Sequence, residues 1–169
     1  MLYEIIIGGE FQNVKGIAAE QTFRVVPKCT SCDTEHANHV VVSSESEKRE
    51  DDTGRFNLIM SCNICKRKMK IKIQMPRSVE VECTNSETKE FGLVEMRLAE
   101  ERGDSFVISR VHTTGCRLSG LELPQIDVLS TENVLFKDIL IEENSWAGAS
   151  SAESISSIGM LSISLSEEK

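Results

Sequence analysis

Two Cys-x-x-Cys pairs, Cys29-Thr-Ser-Cys32 and Cys62-Asn-Ile-Cys65, constrain this chain more than any other feature of its sequence. Thiolates at i and i+3 on a tight turn present two sulfurs on one side of the backbone. Two such turns can close a tetrahedron around one zinc ion. Each first cysteine follows an extended segment, Arg24-Val-Val-Pro-Lys-Cys29 and Leu58-Ile-Met-Ser-Cys62, so each turn is expected to leave a strand. Residues 33–61 lie between the pairs, a longer connection than compact zinc ribbons use, which predicts that Ser43 to Gly54 protrudes as a solvated loop. That length is tolerable, because loop closure costs only about 0.6 kcal/mol more per doubling. Four sulfurs fill a zinc coordination shell, so the expected site is closed and structural, with one Zn2+ per chain held by Cys29, Cys32, Cys62 and Cys65, zinc ahead of iron.

Such a cluster carries negative charge, and Lys28, Lys66, Arg67 and Lys68 flank the two pairs as compensating cations, together with backbone N–H groups of the turns. A redox dithiol is the rival reading of a single pair, but those sit at a helix N-terminus, and no helix signal follows Cys32 or Cys65. Two disulfides are a further alternative, disfavoured in a reducing compartment. His36 and His39 stand near the first pair and could replace a cysteine or recruit copper; the simpler expectation is that four cysteines already fill the site. Cys83 and Cys116 have no partner at ligand spacing and read as buried thiols packing as small hydrophobes.

The rest of the sequence excludes more than it specifies. Nineteen Lys and Arg against 27 Asp and Glu give a net charge of -8, the wrong sign for a chain whose overall field attracts nucleic acid. The basic run Lys66-Arg-Lys-Met-Lys-Ile-Lys72 could be a phosphate or nucleic-acid patch, but it holds no aromatic residue for stacking, and charge compensation explains it more simply. No apolar stretch approaches the roughly 20 residues of a membrane span. Met1 to Glu10 lacks a basic n-region and a cleavage site, so export is not expected. The expectation is a cytoplasmic protein, with the nucleus open as a second compartment. There is no Gly-rich phosphate loop, GxSxG elbow or HExxH, and Glu142-Glu143, adjacent on a strand, would point to opposite faces. No enzyme is expected.

Short Val, Ile and Phe-rich runs separated by polar clusters predict strands over Leu2 to Ile7, Phe23 to Val26, Asn38 to Val42, Phe56 to Met60 and Met69 to Met75. The last alternates strictly, with one apolar and one cationic face, and Pro76 ends it. Phe106 to His112, Val134 to Ile141 and Ile158 to Leu165 follow as strands. Val79 to Arg102 fits either a helical stripe or strand alternation, with Gly92 favouring strand, and Ser145 to Ser157 reads as small, polar and mobile. The fold class is all-β.

Three stretches resemble the CXXC motif-containing zinc-binding protein family, a eukaryotic group without an established enzymatic activity. They are Phe23-Arg-Val-Val-Pro-Lys-Cys29-Thr-Ser-Cys32, Phe56-Asn-Leu-Ile-Met-Ser-Cys62-Asn-Ile-Cys65-Lys-Arg67 and Phe136-Lys-Asp-Ile-Leu-Ile-Glu-Glu-Asn-Ser-Trp146. The resemblance implies two related β-rich halves, about 1–77 and 78–169, packed as one compact domain. It also implies a single zinc site in the first half, at Cys29, Cys32, Cys62 and Cys65. The chain departs from the pattern at Asp33, where a glycine is common, at Gly148-Ala149-Ser150, where an aromatic-acid pair is expected, and over Val79 to Asp104, which is longer than usual. The expected function is a non-enzymatic zinc-binding module that docks a protein partner through its metal tip and the cationic strand bearing Lys70 and Lys72. The alternative is a metal-handling protein that exchanges zinc or copper through its thiolates.

Overall fold

Lys68 to Gln74 shows how the alternation becomes structure: Met69, Ile71 and Ile73 are buried while Lys68, Lys72 and Gln74 are exposed. The computed structural model describes residues 1–50 and 54–168, and among these every regular element is a strand. The first sheet begins with β1 (Leu2–Gln12); β2 (Val14–Ala19) follows in a second sheet and β3 (Thr22–Cys29) with β4 (Val40–Ser43) in a third. A hairpin of β5 (Lys48–Glu50) and β6 (Gly54–Phe56) precedes β7 (Leu58–Ser61) and β8 (Lys68–Gln74). The region of ambiguous periodicity forms β9 (Val79–Asn85), β10 (Phe91–Met96) and β11 (Glu100–Arg102). The chain ends with β12 (Ser105–Thr114), β13 (Cys116–Leu121), β14 (Ile126–Ser130), β15 (Val134–Ile139), β16 (Trp146–Ala149) and β17 (Ile155–Glu168).

The first sheet runs β16-β17-β1-β12-β8-β7, with β11 also on β12; the second runs β10-β9-β15-β14-β2; the third is β13-β3-β4. Strands that precede residue 77 are hydrogen-bonded to strands that follow it in all three sheets, through β1 with β12, β2 with β14 and β3 with β13. The main core gathers Ile5, Ile7, Phe23, Ile71, Ile108, Ile126 and Ile158. A second, smaller core of Ala18, Cys83, Met96, Leu129 and Leu135 lies on the other side of the second sheet. Strands β2 and β14 therefore bury both faces and show no polar alternation, which is why the sequence did not announce them.

Three expectations are corrected. Ser43 to Gly54 is not simply a solvated loop, because β5 pairs with β6 and Glu50 closes ion pairs with Lys68 and Lys70 of β8; the part of that expectation covering residues 51–53 lies outside the described residues. Phe56 to Met60 is not one strand. It breaks at Asn57, whose side chain accepts from Ile73 N at 2.7 Å and donates to Ser46 O at 2.9 Å, replacing ladder bonds with its own amide. Ser145 to Ser157 is not wholly irregular: Trp146–Ala149 pairs antiparallel with Ser156 and its neighbours, and the Trp146 ring packs edge-on against Phe136 at 4.9 Å. The packing of that half-buried ring against the core supplies what the small polar residues around it lack. No helix of the described residues is long and apolar enough to cross a membrane.

Candidate metal centre

Cys29 closes β3, and Cys62 follows β7 directly, so both first cysteines are delivered by strand ends. Each strand then makes the same turn. Asp33 N donates to Cys29 O and Lys66 N to Cys62 O, both at 3.0 Å, while Cys29 N donates to Thr34 O and Cys62 N to Arg67 O, both at 2.9 Å. The residue four places after each first cysteine adopts the left-handed conformation, Asp33 at φ 60 and Lys66 at φ 62. Neither position is glycine; the local hydrogen bonds hold both residues in a region that costs L-residues about 1–2 kcal/mol.

These two turns face each other and bring the four sulfurs within 4.8 Å of one another. Cys29 Sγ lies 3.6 Å from Cys65 Sγ, and Cys32 Sγ lies 3.6 Å from Cys62 Sγ. A regular tetrahedron with metal–sulfur bonds of about 2.3 Å has edges of about 3.8 Å, so the donor set fits zinc in size, number and chemistry. Each pair of short contacts joins one turn to the other, so an ion at the centre would tie β3 of the third sheet to β7 and β8 of the first.

The surroundings explain how the sulfurs lose their protons. Amides of Cys32 and Ser31 hydrogen-bond the Cys29 sulfur and lower its pKa, the Ser31 N–H lying at 3.4 Å. The Thr34 hydroxyl, 3.3 Å from Cys32 Sγ, and the Thr34 backbone hold Cys32 down at about 6. At Cys65 an Arg67 amide pulls downward, but burial and the three neighbouring sulfurs outweigh it and push the thiol up to about 11. Cys32 thus gives up its proton readily and Cys65 reluctantly without a cation to replace it. A divalent ion resolves that conflict.

Of the cations expected to compensate the cluster, Lys28 pairs with Asp33 at 3.2 Å, Lys68 pairs with Glu50, and Lys66 Nζ donates to Asn63 O at 2.8 Å. Carboxylates thus take up part of the charge of Lys28 and Lys68, while turn amides bond the Cys29 sulfur directly. His36 Nδ1 contacts Asn38 O at 2.8 Å and His39 faces Glu122 at 3.6 Å, so neither joins the sulfurs. Cys116, opposite Cys29 in the β13–β3 ladder, is buried behind the cluster and pushed up to about 11 by desolvation; Cys83 sits in the second core.

A family model described as CXXC motif containing zinc binding protein, eukaryotic, matches residues 4–163. The chain belongs to that family. It is 31% identical over 163 residues to an uncharacterized protein of Encephalitozoon cuniculi (strain GB-M1), covering 94% of each chain. In three dimensions it is similar to the crystal structure of C1orf123, with a TM-score of 0.76 at 14% identity over 99% of both chains. A hypothetical protein from Plasmodium falciparum superimposes with a TM-score of 0.68 at 12% identity, covering 98% of this chain and 99% of that one. At such identities these two structures speak for the fold. The family membership and the cysteine cluster agree on a zinc-binding protein.

Sequence reasoning missed the ground beside the cluster. Ile64, between the second pair of cysteines, is 67% exposed at the tip of its turn. It borders a hollow of about 170 Å³ with Met69 and Cys62 in its wall and His36 and Ala37 opposite. A large aliphatic residue inside a Cys-x-x-Cys turn was the available signal. Of the two docking cations expected on β8, Lys70 pairs with Glu50 and lies over the Phe56 ring at 5.2 Å, while Lys72 is exposed.

Proposed function

We propose that this protein is a non-enzymatic, zinc-stabilised interaction module in which Cys29, Cys32, Cys62 and Cys65 hold one Zn2+ per chain. The closed arrangement of four sulfurs carries the reading: with every tetrahedral position taken by sulfur, no place remains for a water or a substrate. The ion's task is to fix two turns from different sheets as one rigid tip. Docking belongs to that tip, at Ile64 and its hollow, rather than to Lys70, which is engaged internally. None of the six cysteines is in a disulfide, which suits a reducing compartment such as the cytoplasm, with the nucleus open as a second.

Protein purified without added metal should carry one zinc per chain, released slowly to a chelator and together with loss of the fold. Serine at Cys29 or Cys62 should abolish that stoichiometry. Ile64→Asp should keep the zinc and lose the partner; retention of both would remove the tip from consideration. One observation favours a second reading, exchange of zinc or copper with a delivery protein: Cys32 and Cys65 are half-exposed at the rim, open to an incoming ligand. Fast stripping that leaves the fold standing, or copper in the purified protein, would select it.

A further inference from the structure

Strand β10 ends the second sheet: β9 pairs one of its edges, and among the described residues no strand pairs the other. Natural edges are blunted by charge, proline or brevity, because an open edge is a template for another strand. This one carries a single charge, Glu95, near its end. Phe91 and Leu93 alternate onto its outer face and are 71% and 64% exposed. On that face Glu95 stands opposite Glu80, and Leu93 opposite Glu82, so two carboxylates are direct cross-strand neighbours. Like charges in that position repel unless a cation lies between them.

The edge also borders open space. The sheet curls until its two outermost strands approach, with Leu98 bridging Ala18 and Ala99 N donating to Ile17 O at 2.7 Å. Ahead of that junction lies a cleft of about 470 Å³ between Val94–Met96 on one wall and Ala18–Glu20 on the other. Glu20, Asp127 and Asp138 line it against Arg97 and Lys137, and among the described residues no ion pair joins these groups. Burial pushes the Asp127 carboxyl up, although the Asp138 N–H it accepts at 2.8 Å and the charge of Lys137 pull the other way.

We infer that the open edge of β10 receives an extended peptide as an added strand, one with a basic face for the acid-lined cleft and an apolar face for Phe91 and Leu93. Main-chain bonds along β10 supply affinity, and the alternation of the two faces supplies selection. The acids argue against a second copy as occupant, since pairing two β10 edges would bring their carboxylates together. The inference is independent of the metal reading, because β10 and the cysteine turns belong to different sheets.

The test uses the full chain with its metal and three labelled ten-residue peptides, alternating Lys with Val, Glu with Val, and Lys with Gly. The Lys/Val peptide should bind and slow amide exchange within residues 91–96, and each control should bind at least about tenfold more weakly, the equivalent of about 1.4 kcal/mol. Leu93→Lys, a change at an exposed side chain, should weaken the Lys/Val peptide by a similar factor without lowering the melting temperature. Glu20→Gln provides a second variant on the cleft side, with the same direction expected. Equal binding of Lys/Gly would reduce the effect to bulk charge and overturn the inference. So would no binding at millimolar peptide, or protection located elsewhere. Concentration-dependent self-association that protects β10 and is lost in Leu93→Lys would assign the edge to a second copy instead.

Discussion

Asp33 and Lys66 occupy equivalent places in two turns that share no other residue identity beyond their cysteines, and both bear the same left-handed strain. Their hydrogen bonds to Cys29 O and Cys62 O show the cause: the backbone must curl back for the amides to reach sulfur and carbonyl. Lys66→Gly relieves the strain and should raise the melting temperature of the metal-loaded protein, by the equivalent of about 1 kcal/mol, whereas Lys66→Ile should lower it by at least as much. Calorimetry on matched metal contents decides this. Another residue-scale case is Glu4, 4% exposed near the start of β1. Burial pushes its carboxyl up, but Arg102, donating at 2.6 and 2.8 Å, and Arg110, at 2.8 and 3.1 Å, outweigh burial and hold it below the ordinary carboxylate range. Stability from this carboxylate is fully present above the unfolded pKa and is lost as the pH falls through the lowered native value. The acid limb of the wild-type stability curve should therefore be steeper than that of Glu4→Gln. Parallel limbs between pH 7 and about pH 3 would show that other groups govern acid unfolding.

At the scale of elements, β16 exists because a glycine lets it. A Cβ built at Gly148 would stand 2.6 Å from the Trp146 ring and 2.7 Å from the Phe136 ring, closer than side chains tolerate. Gly148→Val should separate the two rings and cost about 1–3 kcal/mol, a typical penalty for overpacking. Near-ultraviolet circular dichroism of Trp146, the one tryptophan of the chain, reports the same event independently of the melt. The position is also where the chain departs from the pattern of the family it resembles. The departure is thus a local solution to packing, with glycine against two rings. The hairpin β5–β6 is the converse case: its sequence is charged enough to read as loop, and its closing contacts come from distant residues. Glu50 meets Lys68 and Lys70, and Phe56 lies beneath Lys70. No local period could have disclosed partners supplied by β8.

Over the whole molecule, the cysteine tip is a place where the first and third sheets are tied. Another is Gly115, at the corner from β12 to β13. Gly115 adopts φ +77, and a Cβ there would lie 2.4 Å from Lys68 O; its own carbonyl accepts from Thr30 N at 3.1 Å, within the first cysteine turn. Gly115→Ala should therefore disturb both metal turns from behind, costing about 2 kcal/mol or more. It should also speed zinc loss, though no ligand has changed. Zinc retention at the wild-type rate would show that the turns hold their geometry without the corner.

The sequence by itself determined the elements whose physics is local. Those are the four cysteines, whose i and i+3 spacing makes a two-sulfur turn wherever it occurs, the alternating strand at Met69 to Gln74, and the all-β class written in short Val and Ile-rich runs. Only the tertiary structure decided which turn faces which, and so whether the sulfurs meet at tetrahedral spacing. It also decided that β2 and β14 are strands at all, because burial on both faces erases the polar alternation by which a strand is read. The open edge of β10 was likewise invisible in one dimension. Phe91 and Leu93 are apolar residues left outside because the sheet stops there. Whether an apolar residue is core or contact surface depends on what lies across from it, and that is set by chain segments far away in sequence.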